Sequence, residues 1–169
     1  MKISWSSLRI SLAGARLSHL VQKDKIWDHG TMIEQLKTVF YKLKKAKNNG
    51  NIEDLKKYLT STCYENLKKE MDELERTGKM WVIKNLLIKE VGVVKVSEGK
   101  QNARNEKHRL DCFMAMIKTI GVEFVADTDQ LTETVDYSSR VRNFCEYWSF
   151  VREANWWLLD HVDVRSQIF

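Results

Sequence analysis

Apolar positions recur at helical spacing through the first half of the chain and give way to long β-branched runs in the second. Trp5, Leu8, Leu12, Leu17, Leu20 and Val21 fall near a 3.6-residue period, so residues 1–23 read as an amphipathic helix. A turn at residues 24–30 follows. Thr31 with Glu34 then makes a capping-box pattern, and Met32, Leu36, Val39, Phe40 and Leu43 form the apolar stripe of a second helix. Asn48, Asn49 and Gly50 supply its stop. Asn51 restarts a short helix holding Leu55, Tyr58 and Leu59. A further helix covers residues 61–76, with Tyr64, Leu67, Met71 and Leu74 inward and Thr77 and Gly78 closing it.

After Gly78 the period changes. Residues 81–96 read as a strand rich in valine, isoleucine and leucine, followed by a polar hairpin loop over 97–107. A second long strand covers 110–125, where Gly121 marks a bulge or bend. Residues 127–137 form another polar connection, and two strands at 141–152 and 156–164 are joined by residues 153–155. Three helices followed by about four strands predict an α+β domain with an antiparallel sheet. The division expected is an N-terminal helix over 1–23 and a domain over 24–169.

Composition narrows the class. The 169 residues suit one domain with a real core, and 30% charge with 10% aromatics argues against a disordered chain. No apolar run reaches the roughly 18 residues of a membrane-spanning helix. Cys63, Cys112 and Cys145 are odd in number and widely spaced, which excludes a disulfide framework and a Cys-x-x-Cys zinc site. His19, His29, His108 and His161 are isolated, so no metal site is expected, and no cofactor.

Charge is uneven along the chain. Residues 1–85 hold 17 Lys and Arg against 10 Asp and Glu, a net of +7, while residues 86–169 hold 11 against 13. A basic first half suggests an anionic partner; a solvated lysine face is the plainer alternative. Residues 1–23 contain no acid but carry Lys2, Arg9, Arg16 and Lys23 among five serines. That pattern suits a mitochondrial targeting peptide, a helix lying on anionic lipid, or a helix docked on its own domain.

The closing segment Trp148, Phe150, Arg152, then Trp156, Leu158, Leu159 and Asp160, resembles the W-x-F-x-R and W-x-L-L-D endings of Tim44-like domains. Lys23, Asp24, Trp27 and Asp28 resemble the K-D-P-x-W-[DN] opening of bacterial members, with Lys25 in place of the proline. Residues 40–59 are similar to the family's F-x-x-[VL]-x-x-A-W-x-x-G-D-L-x-x-L joint, with Lys47 for its tryptophan and Asn51 for its aspartate. The resemblance covers about residues 20–163. It implies an NTF2-like cone of helices on a curved antiparallel sheet, enclosing a large apolar pocket. It also implies a membrane-peripheral scaffold at a bacterial cell membrane or the matrix face of the mitochondrial inner membrane. Anionic lipid or a protein partner would meet residues 5–22, with Trp5, Leu8, Arg9, Leu12 and Arg16, aided by a lysine face with Lys42, Lys44 and Lys45.

Alternation on the strand ending at Arg152 puts Phe144, Glu146, Trp148, Phe150 and Arg152 on one face. Read functionally, Glu146, Trp148, Phe150, Arg152 and Trp156 wall a pocket, with Trp148 and Phe150 contacting an apolar ligand and Arg152 anchoring a carboxylate or phosphate. Read structurally, the aromatics are core and Arg152 pairs with Glu146 or another acid. No catalytic residue is assigned. The acids and bases on hand for an isomerase- or dehydratase-type alternative are His108, Asp111, Glu146, Asp160 and His161. A ribosome-associated protein is a second alternative, although the helical lysines lack interleaved aromatics and nucleic acid is not the expected partner.

Overall fold

A computed structural model describes residues 4–99, 110–131 and 136–164; Lys2, His108 and parts of both polar connections lie outside these. Helices α1 (Trp5–Lys23), α2 (His29–Asn49) and α3 (Ser61–Arg76) precede strands β1 (Lys79–Ser97), β2 (Cys112–Asp127), β3 (Arg142–Glu153) and β4 (Trp156–Val164). The strands form one antiparallel meander in the order β1-β2-β3-β4. Three helices on a four-stranded antiparallel sheet is the α+β architecture expected.

Two local predictions need correction. Helix α2 starts at His29, because Asp28 rather than Thr31 is its cap: Asp28 Oδ1 accepts from the Thr31 amide at 2.8 Å and from Thr31 Oγ1 at 2.7 Å. Thr31 still bonds at the helix start, but as a donor within the first turn. The short helix after Asn51 is only a 3-10 turn at Glu53–Leu55. Beyond it the chain straightens so that Leu59 bridges to Leu159, which seals part of the free edge of β4. The C-terminal stops hold as read, with Gly50 and Gly78 at positive φ of 77° and 64°.

The core lies between α2 and one face of the sheet. Met32, Leu36, Val39 and Phe40 are wholly buried against Phe113, Ala115, Ile117, Trp148, Phe150, Trp157 and Leu159. Strand alternation delivers these side chains, and a register shift keeps it in phase. Ser149 pairs with His161 and Phe150 with Leu159, so Asp160 is the extra residue of a bulge. That bulge leaves both Asp160 and His161 exposed and returns Val162 to the inner side, opposite Trp148.

Strand β1 is bent by three register irregularities, the first between Lys84 and Leu87, where Asn85 has φ of 49°. Gly121 faces this point across the pair. A Cβ there would sit 2.7 Å from the Leu86 Cα and 2.8 Å from the Asn85 carbonyl oxygen, so only glycine lets the strands approach. Helix α1 packs along β1. Its Ala13, Leu17 and Leu20 join the same core as Val93 and Val96, and Ile10 lies directly over Gly92.

Candidate functional site

The expected pocket wall is a sealed interior. Trp148 and Phe150 have no solvent exposure; Trp148 packs on Phe40 with ring centroids 5.4 Å apart, and Phe150 stacks on Phe113 at 4.8 Å. Side chains of α2 fill the space where the resemblance implied a ligand. Trp156 is corrected as well. Arg152 pairs with Trp157 across the β3–β4 hairpin, so Trp157 takes the inward position and Trp156 stays 37% exposed on the outer side. Trp157 closes the core from that end, its Nε1 donating to the Ile26 carbonyl at 3.1 Å and its ring 4.9 Å from Trp27.

Glu146 does not face a ligand either. Its Oε1 accepts from Lys44 Nζ at 2.8 Å and its Oε2 from Trp148 Nε1 at 3.1 Å. The same ammonium donates to both oxygens of Glu123, at 2.7 and 2.9 Å. Lys44 is therefore no part of a lysine face for lipid: its side chain is 8% exposed between two carboxylates. The helical period explains why, since Lys44 lies one turn beyond Phe40 on the buried stripe. Every polar atom of this cluster is bonded, which is what a buried ionic group requires to be tolerated. Glu123 was overlooked by the sequence reading, although strand period places it on the same face as Ile117 and Thr119.

Arg152 is committed internally. Its NH1 donates to Asp24 Oδ2 at 2.6 Å and to Asp111 Oδ2 at 3.0 Å, while its Nε donates to the Ala154 carbonyl at 2.8 Å. Asp111 also accepts from the Gly99 amide at 2.7 Å. The carboxyl of Asp24 is held below the usual 3.8, first by the bond from the Ile26 amide and then by Arg152. With two carboxylates already on it, Arg152 has no net charge to offer an anion. Its partner is an acid, as the structural reading had it, but not Glu146. The cleft around this cluster, about 290 Å³, is lined by the acids Asp24, Glu98 and Asp111 and by the cations Lys23 and Arg152.

The remaining acids and bases do not converge. Asp160 accepts from Thr60 Oγ1 at 3.1 Å, His161 faces solvent, and His108 lies outside the described residues. Burial, with the Asp160 charge adding to it, pushes the Cys63 thiol up to about 11, so it is no ready nucleophile.

What the structure leaves open is surface. Trp5, Leu8 and Leu12 are 80%, 44% and 63% exposed, and Arg9 and Arg16 stand exposed on the same side of α1. No acid occurs between Trp5 and Lys23; Arg16 and Lys23 reach Glu98, just after β1, only at 3.9 and 3.6 Å. Lys42 and Lys45 are exposed on the outer face of α2. No helix among the described residues is long and apolar enough to cross a membrane.

Three helices laid on an antiparallel meander, with a filled core and a first helix exposed along its outer side, define an α+β domain. A family model for the Tim44-like domain matches residues 13–163, and the protein belongs to that family. No curated protein matches the chain. Among solved structures it is similar to the intermembrane space region of the chloroplast protein ARC6. The two are 13% identical, with 78% of this chain and 94% of that one covered and a TM-score of 0.47.

Proposed function

We propose that this chain is a non-catalytic, membrane-peripheral scaffold or binding module whose lipid contact is the first half of α1. Membership of the Tim44-like family supports a scaffold role in membrane-associated protein transport. One observation carries the lipid reading. Helix α1 is pinned to the sheet by Ala13, Leu17 and Leu20, yet presents Trp5, Leu8 and Leu12 to solvent beside Arg9 and Arg16. Tryptophan and leucine on one face with arginines at its margin is the composition that lies in a lipid interface, apolar side inserted and cations at the headgroups. Pinning also removes the entropy cost of folding the helix on the membrane, which a free peptide would bear.

The test is sedimentation with cardiolipin-containing and with neutral vesicles, using the whole chain and an Arg9→Gln, Arg16→Gln variant. Truncation of α1 is unsuitable, because its second half belongs to the core. The reading expects salt-sensitive binding to the anionic vesicles, weakened about tenfold in the variant and absent from neutral ones. Equal binding of both proteins, or none by either, overturns it.

A further inference from the structure

Lysines that stand apart in sequence meet a half-buried Tyr58 beside the exposed Trp156 in the fold. Lys42 on α2 places its Nζ 5.3 Å from the centroid of the Tyr58 ring, and Lys57 places its own at 5.2 Å. Tyr58 in turn stands 6.4 Å from Trp156 at the start of β4. The platform is rigid: the Tyr58 amide donates to the Leu55 carbonyl and its own carbonyl accepts from Leu159, both at 2.9 Å. Two ammonium groups share one ring, and neither has a carboxylate partner among the described residues, whereas Lys37, Lys47 and Lys56 are all ion-paired. Uncompensated like charges held together on a fixed aromatic surface are stabilised by an incoming anion.

We propose that Lys42, Lys57, Tyr58 and Trp156 form a docking surface for a short acidic segment of a partner protein, with an apolar side chain of that segment resting on Trp156. The two ammonium groups lie no more than 10.5 Å apart, given their distances to the common centroid. Alternate side chains of an extended peptide are spaced about 7 Å apart. Carboxylates two residues apart can therefore meet both lysines while an apolar side chain two residues further along, on the same face of the peptide, reaches the indole.

The surroundings select for a short ligand. Glu153 pairs with Trp156 across the hairpin, Asp160 is bonded at Thr60, and Glu53 sits beside Lys56. These acids sit on or next to the segments that carry the patch, and they disfavour a continuous phosphate backbone or an anionic bilayer surface more than an acidic stretch of a few residues. This surface is separate from the lipid-contacting stripe of α1 and does not depend on it.

The probe is a synthetic nonapeptide of glutamates with one central phenylalanine, titrated into the whole isotope-labelled chain and followed by the Trp156 indole resonance and the amides of Lys57 and Tyr58. The expected result is a saturable, salt-sensitive shift confined to these signals. It weakens about tenfold in the Lys42→Glu, Lys57→Glu variant, whose exposed positions leave folding intact. Loss of the phenylalanine from the peptide removes the indole shift but keeps the amide shifts. No shift, or an unchanged titration in the variant, overturns the proposal. So does tighter capture of an oligouridylate or of cardiolipin vesicles at the same signals, which would assign the patch to nucleic acid or lipid.

Discussion

Helices α1 and α2 are amphipathic, similar in length and laid on the same sheet, yet they use their apolar faces differently. Every large apolar residue of the α2 stripe is covered, and even Lys44 on that stripe is buried with two acids brought to meet it. On α1 the inner face is covered from Ile10 onward, while Trp5, Leu8 and Leu12 form a second apolar strip facing outward. Burial of that strip would gain about 25 cal/mol per Å² of apolar surface, a free energy the folded chain leaves unused. The difference teaches that α2 completes the fold and that α1 has surface left over for something else.

The largest effects should come from breaking the α2 side. Lys44→Met leaves Glu123 and Glu146 facing one another without a cation, and should cost about 3–5 kcal/mol in urea unfolding. Trp148→Ala empties a fully packed position and should cost a similar ~3–5 kcal/mol. A loss under about 1 kcal/mol for either would mean that the interior is not the sealed core described. Gly121→Ala comes next. Its new Cβ meets backbone rather than a movable side chain, so a loss of about 1–3 kcal/mol is expected, and an unchanged midpoint would show that β1 bends freely.

The comparison predicts far less on the α1 side. Trp5→Ala, Leu8→Ala and Leu12→Ala should each change stability by no more than about 0.5 kcal/mol, since all three side chains stand exposed. A loss of several kcal/mol would show that this strip is structural after all. The smallest effect concerns pH. Asp24 has a folded pKa below its ordinary 3.8, so it contributes stability above that value which disappears as pH falls through the depressed pKa. Asp24→Asn should therefore be less stable than the parent at pH 7, and the gap should narrow as pH falls through the depressed pKa. A gap that is the same at every pH would contradict a charged Asp24 held by the Ile26 amide and Arg152.

Much of this was legible in the chain. Period alone located all three helices and four strands, and Gly121 announced its bend because a glycine inside a strand pattern has few other uses. The family was readable from the ordered Trp148, Phe150, Arg152 and Trp156 to Asp160 endings. What escaped was whatever depends on which strand lies opposite. Trp156 and Trp157 are indistinguishable until the hairpin register decides which turns inward. Arg152 could be seen to need an acid, but Asp24 is 128 residues away and only tertiary folding selects it. Lys44 was hidden among neighbouring lysines, although its place one turn after Phe40 already put it on the stripe. The pairing of lysines with Tyr58 and Trp156 was likewise invisible, because the aromatics arrive from other elements.

The central claim is that Trp5 enters lipid while the rest of the molecule stays folded above it. The direct measurement is tryptophan fluorescence with anionic vesicles carrying brominated acyl chains, for the native chain and for Trp5→Phe. Trp5 is 80% exposed, and the buried Trp148 and Trp157 are beyond the reach of a peripheral bilayer. The account predicts quenching of the native protein that is largely lost in Trp5→Phe, with binding itself nearly unchanged. Equal quenching of the two proteins, or vesicle binding with no quenching of either, would contradict it.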